Sequence, residues 1–493
     1  MALTKVSYSM IYGAPSNPLD YGASGDGIVD DTSAIQDAIN ALPVDGILDG
    51  LGRIYVVTAC KLKSNMTLQN FNFITKAGSL PSEFASPVTI GGYNDSSTYE
   101  NIYILNVHVD GNRVNNNTGT TGYAEDGGKH GFRLIGNINN VTIQNCSAKY
   151  CGSYGFFGYR GINTASIPFD DVPTISQLRI IDCVSQYNKS HGSAFDSVIY
   201  LTINDCVFTN NGLDYMGDLG ALTLSGAAYS NAIDLEGYGI GSWVGRVNIM
   251  NCDLRSNAAG SLYIQDPVLT TDPRFEIRDT INVLGCQLDT GSHPLRLNPY
   301  TALIITAPFA NWANDNIYKN IYVSDCNIIG EINFAKIEDA FFDVKQTVIR
   351  QILGEAAYSD RVSCNSPSLW RFTDLFGADI SYVYAQPENF QVSVNGTGLQ
   401  VFSDNSKYGL HTQMCFSAVV SFNANEEKTL TADLPTAFAT EYINAFICID
   451  YVSATSDVKP PRTDSGTTTT VSGIIKNGAT PQDIRLSFLV FGR

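Results

Sequence analysis

Residues 20–39, DYGASGDGIVDDTSAIQDAI, read as an extended segment, a glycine-rich loop with four aspartates and a short amphipathic helix. Ala34, Ile35, Ala38, Ile39 and Leu42 recur at helical spacing along one face. Ser33 and Gln36 stand three apart, the pattern of a capping box at a helix start. One early helix with a single apolar face, followed by a long run of strand pattern, predicts a cap over the open end of a β structure.

Further along, the cysteines carry a repeat. VTIQNC ends at Cys146, LRIIDC at Cys183, LTINDC at Cys206, VNIMNC at Cys252, INVLGC at Cys286 and IYVSDC at Cys326. IYILNV, ending at Val107, is the same unit without the thiol. Each alternates apolar residues and then usually sets Asn or Asp before the cysteine. Successive intervals run from 23 to 46 residues, as one short rung and several inserted loops would give. A strand ending at a polar turn residue, repeated at that spacing, describes the coils of a solenoid. Equivalent side chains then stack inside, so the thiols form a ladder rather than bridges. The Asn or Asp before each suits a tight turn through side-chain to backbone bonding.

A second strand follows each cysteine turn: GFRLIG, GFFGYRG, SAFDSV, NAIDLEG, SLYIQDP, PLRLNP and EINFAK. With Phe132, Phe156, Phe195, Ile233, Leu262, Leu295 and Ile332 pointing inward, each following residue points out. That outward column reads Arg133, Phe157, Asp196, Asp234, Tyr263, Arg296 and Asn333. The next includes Tyr159, Val198, Glu236, Gln265 and Asn298.

At 493 residues the chain exceeds one ordinary globular domain, although a repeat protein of that length forms a single body. Apolar residues at 44% supply a core, while charged residues at 16% with abundant Gly, Asn, Thr, Ser and Tyr favour an all-β chain with many turns. A net charge of −18 argues against nucleic acid as a partner, because phosphate contacts need Lys and Arg. The eleven cysteines are odd in number and include no CxxC pair, so buried thiols made in a reducing cytoplasm are expected. The start MALTKVSYSM lacks the apolar core of a secretory signal, and no run of about 18 apolar residues suggests membrane insertion. Walker, GxSxG and HExxH motifs are absent, and no cofactor or metal is expected.

Asp196, Asp234 and Glu236 are the candidate catalytic residues. Asp234 and Glu236, two apart on a strand, emerge on one face about 6–7 Å apart, with Asp196 on the preceding rung about 4.8 Å away. Glycoside hydrolysis needs a protonated acid for the leaving oxygen and an ionised base or nucleophile. Crowded carboxylates push some pKa values up, which is how such a pair is made. Tyr159, Tyr238 and Tyr263 suit stacking on sugar rings, and Arg133, Arg160 and Arg296 suit carboxylates or hydroxyls. The insertion at residues 212–230 reads as a lip of the groove, bringing Asp214 or Asp218 near. His130 and His191, just before outward strands, are substrate-binding candidates and the acid or base candidates of a lyase.

The stretch at 20–39, preceded by KVSYSMIYGAPSNPLDYG, resembles the lead-in of pectate lyase-like proteins, particularly bacteriophage tailspikes, and with the coil pattern the likeness covers about residues 1–376. The resemblance implies a right-handed parallel β-helix, a homotrimer, and binding and endo-cleavage of a bacterial surface polysaccharide, capsule or O-antigen. It also implies a virion protein; with no particle-binding domain before KVSYSMI, the expectation is either attachment to other tail or baseplate proteins or a truncated chain. Alternatives within the resemblance are a polysaccharide lyase and a non-catalytic receptor-binding spike. The expected organisation is a neck and capping segment over residues 1–60, a β-helix over 61–376 and a C-terminal β-rich domain over 377–493 for trimerisation or glycan binding.

Overall fold

The computed structural model describes residues 14–79, 86–116, 129–159, 174–196, 198–212, 230–236, 244–265, 280–290 and 321–329, together with the backbone of further strands up to residue 492. Glu236 and Gln265 are described by backbone alone. The chain divides into two compact units, Met1–Pro308 and Phe309–Arg493.

The lead-in folds around its aspartates. Asp31 is buried and accepts the Ser24 and Gly25 amides at 2.6 and 3.1 Å. Asp30 Oδ1 accepts both the amide and the hydroxyl of Thr32, at 3.1 and 2.6 Å. Helix α1 (Thr32–Ala41) buries Ile35, Ala38 and Ile39, as the spacing predicts. The capping box does not form. The helix starts at Thr32, so Ser33 falls inside its first turn, and Asp31 at the N-cap makes no side-chain cap. Gln36 instead exchanges hydrogen bonds with the backbone N and O of Lys61, at 2.8 and 3.1 Å, pinning the helix to the first coil.

The coils are those of a parallel β-helix, right-handed as parallel crossovers are. One full coil shows the plan. Strand Asn137–Gln144 turns at Asn145, strand Ser147–Lys149 turns again at Tyr150, and strand Phe156–Tyr159 completes the third face. Equivalent strands pair in parallel from coil to coil, with Val141, Leu178, Leu201, Val247 and Ile281 in register on the first face. The same register stacks Ile104, Ile143, Ile180, Ile203, Ile249 and Val283 into a fully buried aliphatic column. Burying each stabilises the fold by about 1.5–3 kcal/mol, an upper figure because unfolded chains bury some apolar surface.

The first corner explains the repeat. Asn106, Asn145, Asp182, Asp205, Asn251, Gly285 and Asp325 all have φ between 51° and 65°. Asn, Asp and Gly tolerate this left-handed conformation where other side chains are strained. The next side chain points inward, and there the thiols of Cys146, Cys183, Cys206, Cys252 and Cys286 stack, each donating to the carbonyl two residues earlier at 3.1–3.3 Å. The Val107, Cys183 and Cys252 amides reach the sulfur of the next coil at 3.4–3.5 Å. All eight described cysteines are buried and unbridged.

A second ladder escaped the sequence reading. Asn188, Asn211 and Asn257 are fully buried at the corner leading to the third face. Asn188 Nδ2 donates to Asn211 Oδ1, and Asn211 Nδ2 to Asn257 Oδ1, each at 2.9 Å. The same oxygens accept the Asn188 and Asn211 amides at 3.2 and 3.0 Å. Its signal was present: each asparagine follows the cysteine of its coil by five residues.

In the second unit, strands Tyr318–Ile329, Ile337–Val344 and Arg361–Cys364 pair in parallel, as do Glu331–Phe334, Val348–Ile352 and Ser368–Thr373. Parallel stacking thus outlasts the repeat, which fades from the sequence near Ile337. Backbone pairing and apolar alternation need no Asp–Cys turn to mark them. Antiparallel pairing begins where Asp379–Ala385 meets Ser368–Thr373, and later strands form a hairpin and two three-stranded antiparallel sheets. Among the described residues no helix is long and apolar enough to cross a membrane.

Candidate active site

The third face carries the candidate residues on strands Phe132–Ile135, Phe156–Tyr159, Ser193–Phe195, Asn231–Glu236 and Gly260–Gln265. Its outward column reads Arg133, Phe157, Ala194, Asp234, Tyr263 and then Ile304. Two positions differ from the sequence reading. Ile304 on strand Thr301–Thr306, rather than Arg296, follows Tyr263. Ala194, rather than Asp196, stands beside Asp234, and Asp196 follows Phe195 as Glu236 follows Leu235. The second shift has a steric cause. Phe195 pairs with Gly158, where a Cβ would lie 2.5 Å from the Phe195 ring. The missing side chain leaves interior room for the ring, and the small Ser193 takes the slot between Phe156 and Ile233.

This register changes the carboxylate geometry. Continuing the register past Phe195 and Leu235 brings the Asp196 backbone level with that of Glu236, about 4.8 Å along the stack, and about 8 Å diagonally from that of Asp234. The coil from Cys183 to Cys206 is the shortest, so Asp196 sits at a tight corner, its amide donating to Gly158 O at 3.0 Å. Both Asp196 and Asp234 are largely buried, at 6% and 8% exposure, so each is a carboxyl group with limited access to water.

His191 is seated against Asp234. Its Nδ1 accepts the Asn231 amide at 3.0 Å, which places the ring proton on Nε2. Nε2 then donates to Asp234 Oδ2 at 3.2 Å. Burial pushes the His191 pKa down to about 3, so the ring is neutral at ordinary pH. His130 repeats part of the arrangement: Nδ1 accepts the Tyr154 amide at 3.4 Å, and burial, then the Arg133 charge, hold its pKa well below the usual range.

Aromatic rings continue the face away from the acids. His130 stacks on Phe157 at 4.3 Å and on Tyr154 at 5.1 Å, and Tyr154 approaches His191 at 5.3 Å. Phe157 stacks with Tyr159 at 6.1 Å, Tyr159 meets Tyr93 at 5.8 Å, and the Arg133 guanidinium lies 5.2 Å over the Tyr93 ring. Tyr93 is exposed and Tyr159 half-buried, so the two offer ring surface to a ligand. Tyr93 is a new member of this group, visible only once its loop is folded over Tyr159. Arg160, Tyr238 and Arg296, with Asp214, Asp218 and Asn298, lie outside the described residues. Among the described residues no group of three or more His, Cys, Asp or Glu side chains stands close enough to hold a metal ion.

No protein-family model and no curated protein matches the sequence. Among solved structures, the surface adhesin PfbA of Streptococcus pneumoniae is similar at a TM-score of 0.45 and 14% identity, covering 80% of this chain and 99% of that one. A tailspike protein of Acinetobacter baumannii bacteriophage Fri1, a capsular polysaccharide depolymerase, is similar at 0.35 and 10%, covering 98% of this chain and 86% of that one. An exopolygalacturonase of Thermotoga maritima is similar at 0.34 and 12%, covering 78% and 96%.

Proposed function

We propose that the chain is a subunit of a bacteriophage tailspike that binds a host surface polysaccharide, capsule or O-antigen, and cuts it internally by glycoside hydrolysis. In this reading it is made in the bacterial cytoplasm and enters the virion as a homotrimer docked on other tail or baseplate proteins. Asp196, Asp234 and Glu236 supply the chemistry, while Tyr159 and Tyr263, with Arg160, Tyr238 and Arg296, line the sugar path together with His130. The observation that carries hydrolysis is the pairing of Ala194 with Asp234, which sets two largely buried carboxyl groups, Asp196 and Asp234, on a diagonal of adjacent coils. Strand spacing puts their backbones about 8 Å apart, compatible with the wider carboxyl separation that leaves room for a water molecule and gives inversion. The water oxygen bonds to the anomeric carbon as it loses a proton to one carboxylate. The glycosidic C–O bond breaks, and its electron pair stays with the leaving oxygen, which takes the proton of the other carboxyl. A lyase route through His130 or His191 is less favoured, because both rings are buried and neutral with Nδ1 already occupied.

The test incubates the protein with purified surface polysaccharides of candidate hosts and follows chain length together with absorbance of unsaturated sugar. Shortening without absorbance is expected, and Asp234→Asn and Asp196→Asn should each slow it by about 10²–10⁴-fold while binding persists. Shortening with absorbance would transfer the case to a lyase. Retention of the correct glycan without shortening would leave a receptor-binding spike.

A further inference from the structure

Two carboxyl groups that do opposite jobs must be told apart by their surroundings. The titratable residues around Asp234 are His191 from the corner of the preceding coil, Asp196 on the diagonal and Tyr263 level with it on the following strand, and, by backbone position alone, Glu236 two residues along its own strand. Of these, His191 makes the directed contact. Its Nδ1 is held by the Asn231 amide, the residue three before Asp234 on the same strand, so the ring is fastened to the strand it serves. The Tyr154 ring flanks it at 5.3 Å, and the imidazole is 4% exposed, so little water competes for Nε2–H.

We infer that His191 is a positioning residue that presents Asp234 as the ionised general base, leaving Asp196 to act as the acid. A hydrogen bond donated by a neutral group favours the charged carboxylate. It also fixes the orientation of the carboxylate through Oδ2. Asp234 takes the water proton, Asp196 gives its proton to the leaving oxygen, and exchange with solvent restores both. This assignment rests on the hydrolase reading, but the His191 contact can be tested without substrate.

The readout is the protonated-carboxyl infrared band of the full-length protein across pH, with Asp234→Asn subtracted to isolate Asp234. In His191→Phe the Asp234 midpoint should rise by about one pH unit, and in His191→Gln, whose amide offers an N–H in place of Nε2–H, most of that rise should vanish. A midpoint unmoved in His191→Phe, or equally raised in both variants, would overturn the role. If His191→Phe fails to fold, the His191→Gln and His191→Ala pair carries the same comparison. On a polysaccharide that the wild type shortens, the acid limb of kcat/KM should move up with the infrared midpoint while KM changes little. Undiminished cutting by Asp234→Asn would sink the hydrolase site itself and leave the infrared result standing on its own.

Discussion

Two buried histidines stand against the outward column of the third face, and their chemistry is decided by what they lost on folding. His191 and His130 have surrendered water and accept backbone amides at Nδ1, so protonating either breaks a bond and charges a buried ring. Both folded pKa values lie below the ordinary 6.5, that of His191 at about 3. The unfolded chain therefore binds protons that the folded chain does not, and stability falls as pH drops from about 6.5 toward 3 and is flat above. His191 contributes a slope of about 1.4 kcal/mol per pH unit inside that window, and His130 acts in the same direction. Urea unfolding at pH 7, 5.5 and 4 should show the slope, and His191→Gln should flatten it by one ring's share. An unchanged slope in that variant would mean the imidazole is already charged in the folded protein.

At the scale of elements, the corners were legible and the third face was not. Every first corner needs a left-handed residue followed by an inward one, and Asn or Asp before Cys writes that need into the sequence. The strands of the third face are three to six residues long and carry no such marker. A single glycine, Gly158, let Phe195 slide two residues along and carried Asp196 with it. Asp196, Asp234 and Glu236 were legible as acids of this face, but their neighbours had to come from stacking. His191 reaches Asp234 only because successive coils bring their third strands together. The asparagine ladder sets that corner, so its loss should be felt. Asn211 Nδ2 donates to Ser185 O and Asn257 Oδ1, while its Oδ1 accepts from the Asn188 amide and side chain. Asn211→Ala strands several buried groups and should cost about 3 kcal/mol or more. Asn101→Gly, which keeps a left-handed turn and removes a half-exposed link to Asn65 and Asn140, should cost under about 1 kcal/mol. Denaturant midpoints of the two variants decide it, and equal losses would deny the buried ladder its special weight.

For the molecule as a whole, the same stacking makes the thiols a record of cooperativity. In a solenoid each coil rests only on its neighbours, so a coil in the middle opens only when an adjoining one does. Cys183 and Cys206 bound the shortest coil, which carries no long insertion, and each is 1% exposed. Burial raises the Cys183 thiol pKa, and the adjoining Cys183 side chain is the largest cause of the rise at Cys206. Alkylation needs a thiolate and an approach path, and the folded coil supplies neither. Iodoacetamide at pH 8 should therefore leave both thiols unmodified for hours in the native protein. In rising urea they should be labelled together, at the midpoint of the first unit's main unfolding transition, as peptide mass spectrometry would read. Labelling of Cys183 well before Cys206 would divide the coil into independent halves. Labelling of either in the native state would mean that the ladder breathes locally, and that the face built on its other side is less rigid than an aligned acid and base require.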